Sequence, residues 1–115
     1  MRTKYGWVEI DQVRYDYDVI IHQDRSVSRR HKKRSKQFKR LFGHTPLTGE
    51  ELEFLKKEMP SVVYIGTGQF DELPLTMEAL LNLSSYTAIL RPTPEIIGML
   101  EREQRPFAAI LHVCC

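Results

Sequence analysis

The sequence predicts an α/β fold: a three-layer sandwich with a central mixed β-sheet, helices on both faces and an N-terminal antiparallel β-meander. Three observations predict it. Val62-Val63-Tyr64-Ile65 is apolar without alternation and too short for a helix, the pattern of a strand buried on both faces. Val13 to Val19 alternates strictly, so Val13, Tyr15, Tyr17 and Val19 share one face of a half-buried strand. Phe107 to Cys115 is an almost unbroken apolar run and reads as a buried central strand. Helical and extended segments alternate from residue 48 onward, an order that lays helices on both faces of a sheet.

The 115 residues suit one domain, 1–115, in which folding buries roughly two-thirds of the chain's surface. Hydrophobic residues at 42% and charged residues at 28% exclude wholesale disorder. No apolar run approaches the roughly 18 residues of a membrane span. Met1 to Trp7 contains no signal-peptide apolar region, and the adjacent Cys114 and Cys115 cannot make a disulfide framework, so the expected location is cytoplasmic.

At the front, Trp7 to Ile10, a turn at Asp11-Gln12 and the strand from Val13 form a hairpin, prolonged by Ile20-Ile21-His22. Ser26 to Arg29 starts a third strand of the meander, and His22 is expected as a packed or edge histidine. Thr48 then caps a helix whose Glu51 completes a capping box and whose Leu52, Leu55 and Met59 face inward, until Pro60 stops it. After the strand at Val62, Gly66-Thr67-Gly68 turns the chain, and at least one glycine is expected at positive φ or against a neighbouring backbone. Thr76 caps a short helix with Leu80 and Leu83 inward, and Tyr86 to Leu90 is a strand. Thr93 caps the next helix with Pro94 in its first turn, where a missing N–H costs nothing.

Charge is segregated along the chain. No acid lies between Asp24 and Glu50, and nine of the 17 Lys and Arg fall between Arg25 and Arg40. The other eight stand against 15 acids, so a basic segment is joined to a body of net charge −7. Arg29, Arg30, Lys32, Lys33, Arg34, Lys36, Lys39 and Arg40 are therefore expected on one exposed interaction surface. Phe38 and Phe42 are too few to make a base-stacking platform, so any nucleic-acid binding here would be weak, non-specific and salt-dependent.

Tyr5-Gly6-Trp7, Gly43-His44-Thr45-Pro46-Leu47-Thr48 with Glu50-Glu51-Leu52, Ile65-Gly66-Thr67-Gly68-Gln69, Pro92-Thr93-Pro94-Glu95 and Leu111-His112-Val113-Cys114-Cys115 together resemble the Mth938-domain family. That family includes complex I assembly factor 3 and an adipogenesis-associated protein with the same domain. The resemblance implies a compact domain with a central mixed sheet and no established enzymatic activity. The chain departs from the family pattern at Cys114, where a threonine is usual, and at Ile96 and Leu100-Glu101.

Three functions follow from these readings. The leading one is a non-catalytic interaction or assembly module whose partner is another protein. The second is an anion or small-molecule site, with or without enzymatic chemistry, at Gly66, Thr67, Gly68, Gln69 and Thr93, where two strand-to-loop junctions offer N–H groups and threonine hydroxyls. The third is polyanion binding through residues 29–40. No third glycine follows at dinucleotide spacing, no Gly-Lys-Ser/Thr is present, and no catalytic constellation is legible. His112 and Cys114 share a strand face, but two ligands fall short of a zinc site, so neither a metal nor a cofactor is expected.

Overall fold

The computed structural model describes residues 1–32, 35, 39 and 45–114. Arg2–Lys4 (β1), Trp7–Ile10 (β2) and Val13–Tyr15 (β3) form a separate three-stranded antiparallel sheet. Val19–Ile21 (β4) and Val27–Arg29 (β5) leave that sheet and join Val62–Thr67 (β6), Ala88–Arg91 (β7) and Phe107–His112 (β8) in the order β5-β4-β8-β6-β7. The central sheet is mixed: β6 runs parallel to β7 and β8, while β8 pairs antiparallel with β4.

Period-two alternation along β6 and β8 makes two cores from the same strands. Val62, Tyr64, Phe107, Ala109 and Leu111 face one layer, built from the small sheet (Val8, Ile10) and the helix Thr93–Leu100 with Ile96, Ile97 and Leu100. Val63, Ile65, Ala108 and Ile110 face the other layer, which holds Leu47, Leu52, Leu55, Ala79 and Leu83. That second layer comprises a 3-10 turn at Gly49–Leu52 and the helices Phe54–Glu58 (α1) and Met77–Leu83 (α2), with Thr93–Leu100 following as α3. The three-layer arrangement with buried β6 and β8 is the one the apolar runs predict. None of the described helices is long and apolar enough to cross a membrane.

Several local expectations change. The alternating run from Val13 does not form one strand: it bends at Asp16 and Tyr17 and changes sheets, leaving Val13 exposed at 51%. The helix expected from Thr48 to Met59 is split into the 3-10 turn and α1, although the capping box at Thr48 and Glu51 is present. Met59 closes α1 in the left-handed conformation with its side chain in solvent, and Leu80 on α2 turns outward. On α2 the inner positions are Ala79 and Leu83, and the cap is Thr76, whose hydroxyl accepts the Ala79 N–H at 3.2 Å. Strand β7 starts at Ala88 rather than Tyr86. Gly43, His44 and Cys115 lie outside the described residues.

Both glycines after Val62 have a physical reason. Gly68 sits at φ +102°, in the left-handed region. At Gly66 the constraint is space, because a Cβ there would stand 2.7 Å from Thr93 Oγ1 and 3.3 Å from Thr93 Cα. Replacing Gly66 with alanine should therefore push α3 off β6 and lower stability by about 2 kcal/mol, as overpacking does. Urea unfolding of G66A checks this, and an unchanged midpoint would show that α3 yields without cost.

Candidate functional site

The carboxyl ends of β6 and β8 bring Gly66, Gly68 and Thr93 together, as the two-junction reading expects. Thr93, however, does not cap α3. Its hydroxyl donates to the His112 carbonyl at 2.6 Å and accepts the Gly68 N–H at 3.0 Å, and its own N–H donates to the Gly68 carbonyl at 2.9 Å. Pro92 occupies the cap position instead, with its carbonyl accepting the Ile96 N–H at 3.1 Å. The Gln69 N–H donates to the Cys114 carbonyl at 3.2 Å, and its side-chain amide donates to Thr3 Oγ1 at 3.0 Å. Thr67 donates its hydroxyl to Asp71. The N–H groups of Gly68, Gln69 and Thr93 and the two threonine hydroxyls thus all serve partners within the chain. This end of the sheet is a closed joint.

Close by lies a buried charge network that centres on Asp18, between β3 and β4. Asp18 Oδ2 accepts from Arg30 Nη1 at 2.9 Å and from His112 Nδ1 at 2.7 Å, and faces Lys32 Nζ at 3.2 Å. Its other oxygen accepts the Val113 N–H at 2.9 Å. Arg30 continues the network: Nε and Nη2 grip the Glu51 carboxylate at 2.6 and 2.9 Å, and Nη2 also donates to the Pro46 carbonyl at 2.9 Å. Ser35 donates to Glu51 Oε2 at 2.7 Å. Burial alone would raise the Asp18 pKa; the hydrogen bond and charge of His112, the charge of Lys32 and the Val113 N–H outweigh it. They hold the Asp18 carboxyl well below the usual carboxylate range. Burial would likewise lower the Arg30 pKa, but Glu51 first and Asp18 second outweigh it and raise it.

This network corrects the basic-surface expectation at Arg30, which is only 3% exposed and spends its guanidinium inside the protein. Lys32 is half-buried on Asp18. Arg29 and Lys39 are exposed, with the Arg29 guanidinium 4.6 Å from the Tyr17 ring centroid. Lys33, Arg34, Lys36 and Arg40 lie outside the described residues. His112 pairs with a carboxylate rather than with Cys114, which is half-buried. Among the described residues no group of three His, Cys, Asp or Glu is placed to hold a metal ion.

One constellation was not legible in the sequence. His22 Nδ1 lies 2.6 Å from Glu58 Oε2, and His22 Nε2 lies 2.7 Å from Ser28 Oγ. Glu58 Oε1 also accepts the Gln23 N–H at 2.8 Å, and the Phe54 ring meets the imidazole edge-on at 5.5 Å. A cleft of about 500 Å³, mostly apolar, opens beside them and is lined by Ile20, His22, Ser28 and Phe54 among others. The three residues come from β5, the end of β4 and α1, so no spacing in the chain announces them.

No protein-family model and no curated protein matches this chain. Among solved structures it is similar to PH1505, a conserved hypothetical protein from Pyrococcus horikoshii. The two are 31% identical, with 100% of this chain and 98% of that one covered at a TM-score of 0.87. It is equally similar in sequence to a protein described as MT938, at 31% identity, with 100% and 96% covered and a TM-score of 0.82. A protein from Bordetella parapertussis shares the fold at 17% identity and a TM-score of 0.67, with 98% and 92% of the two chains covered.

Asp18 is the residue whose loss should be felt most. Asp18→Asn leaves Arg30, Lys32 and His112 facing a neutral group and should cost about 3 kcal/mol at pH 7. Because its folded pKa is depressed, the charge contribution of Asp18 is complete above its ordinary value near 4 and is lost as pH falls through the folded value. The stability gap between wild type and D18N in urea should therefore shrink as pH falls below about 4. A gap that does not change with pH would mean that the lost interaction is not one of charge.

Proposed function

We propose that this chain, which belongs to the Mth938-domain family, works as a protein-interaction module of the assembly type and docks another protein on the outer face of α2. One observation carries the reading. Met77, Leu80 and Leu81 are 71%, 44% and 64% exposed, while Ala79 and Leu83 hold the helix to the sheet. Residues at i, i+3 and i+4 share a helix face, so three large apolar side chains make one stripe turned to water. A stripe of that kind on a helix whose inner face is already packed serves a partner better than it serves the fold.

Affinity capture with wild-type protein and with the M77E/L81E variant tests the assignment. Both substituted positions face solvent, so the variant should melt within a few degrees of wild type. Partners that dock on α2 should fall at least about tenfold in recovery, since removing apolar anchors costs more than 1.4 kcal/mol when they carry the binding. Sedimentation at rising concentration separates a different protein from a second copy of this chain. Unchanged recovery with the double variant would refute docking on α2.

A further inference from the structure

We propose that Ser28, His22 and Glu58 form an acyl-transfer site that hydrolyses small esters with an apolar acyl group, an activity on a different surface from the α2 stripe. The fold places the three groups by simple rules. Ser28 on β5 stands directly opposite Ile20 on β4, so their side chains rise from the same face of the sheet. His22 follows Ile20 by two residues and shares that face. Glu58 follows Phe54 by four residues on α1, so carboxylate and aromatic ring project together over the imidazole. Phe54 against one part of the ring and Glu58 on Nδ1 hold His22 in a single orientation.

The hydrogen-bond directions are those a nucleophile needs. A carboxylate only accepts, so the 2.6 Å contact to Glu58 puts the imidazole proton on Nδ1. In the neutral ring Nε2 is then an acceptor, and the 2.7 Å contact makes Ser28 the donor. Nucleophile, base and orienting carboxylate stand in the order that activates a serine hydroxyl, a relation defined by geometry and independent of chain order.

The edge of the sheet supplies a place for the oxyanion. Arg30 N–H donates to the Asp18 carbonyl and His22 N–H to the Ser26 carbonyl, both 2.8–2.9 Å, so the ladder's bonded pairs are 18 with 30 and 22 with 26. Alternation makes 20 with 28 the bonded pair between them, which turns the Arg29 N–H outward. Strand β5 is terminal in the described sheet, so that N–H, directly after the nucleophile, faces the open edge. The cleft of about 500 Å³ opens at Ser28 and His22; Ile20 and Phe54 give it an apolar wall that fits a short acyl chain, and His31, Ser35, Glu50 and Glu51 complete its lining.

The chemistry balances without a cofactor. Ser28 Oγ bonds to the ester carbonyl carbon as its proton passes to His22 Nε2. The tetrahedral oxyanion collapses, the bond to the alkoxy oxygen breaks, and the departing alcohol takes the proton from His22. Water then attacks the acyl-Ser28 ester, giving its proton to Nε2; the bond from the acyl carbon to Oγ breaks, Nε2 returns the proton to Oγ, and a carboxylic acid and the free serine are released. Ser28 and His22 are the catalytic residues, and Glu58 is a positioning residue that acts through the imidazole.

The full chain treated with a fluorophosphonate probe should gain one covalent adduct that peptide mapping places on Ser28. It should also hydrolyse 4-nitrophenyl butyrate. Ser28→Ala should abolish the adduct and lower hydrolysis by at least about 100-fold while keeping the wild-type melting temperature. Glu58→Gln should lower kcat about tenfold and shift its pH profile while probe titration still counts a full complement of reactive Ser28, a combination that loss of folded protein would not produce. The M77E/L81E variant should retain full hydrolysis, so failure here and failure of the docking role are told apart. A folded wild type that takes no probe at Ser28, or hydrolysis that persists in S28A, would overturn the proposal. Mapping the adduct on wild type keeps the test decisive even if S28A fails to fold.

Discussion

The Asp18 carboxylate is the constraint on which the rest of this structure depends. It lies where the chain leaves the small sheet and enters the central one, and it binds the Val113 N–H, His112, Arg30 and Lys32 at once. Arg30 carries the connection across to Glu51 and the Pro46 carbonyl, in the layer covering the other core. One set of contacts thereby ties the end of β8, the start of β4 and the 3-10 turn into a single arrangement. Charges taken out of water repay their desolvation only when every member is paired, so such a network adds little net stability, while losing one member leaves a buried charge uncompensated.

His112 joins this network to a second one. Its ring donates to Asp18, and its carbonyl accepts the Thr93 hydroxyl that also receives the Gly68 N–H. The carboxyl ends of parallel strands are where open α/β sheets usually hold ligands. Here that space is filled by Thr93 pressed against Gly66, and the donors that would hold an anion are spent on the chain itself. The N-terminal hairpin adds a further closure, with the Gly6 N–H on the Val113 carbonyl at 2.8 Å. Among the described residues, the contacts of His22 with Ser28 and Glu58 stand instead beside an open cleft.

The two surfaces proposed for function differ in how they arise. The α2 stripe is a local property: a seven-residue helix has room for one packed face, and Met77, Leu80 and Leu81 occupy the other. The Ser28–His22–Glu58 relay is a meeting of three separate elements, each held by its own packing. Ser28 is set by strand pairing, His22 by Phe54 and Glu58 by the turn of α1.

By itself the sequence determined the layers of this protein, because period and length are carried by neighbouring residues. The apolar runs at Val62 and Phe107 became buried strands, Thr76 became a cap, and the glycines after Val62 took up a turn and a close approach. What only the tertiary structure decided is what each polar group faces. The run from Val13 to Val19 alternates like one strand, yet it bends at Asp16 and Tyr17 into a second sheet, where the Asp18 carboxylate meets partners 12 and 95 positions away. Arg30 sits in the most basic stretch of the chain and is buried, since Asp18 and Glu51 neutralise it and no count of local charge contains them. Serine, histidine and glutamate likewise carry no periodic signal, and 36 residues separate His22 from Glu58. Apolar burial depends on which face a residue occupies and is written in local pattern; the pairing of a charge depends on distant chain brought within 3 Å, and only the folded state sets that distance.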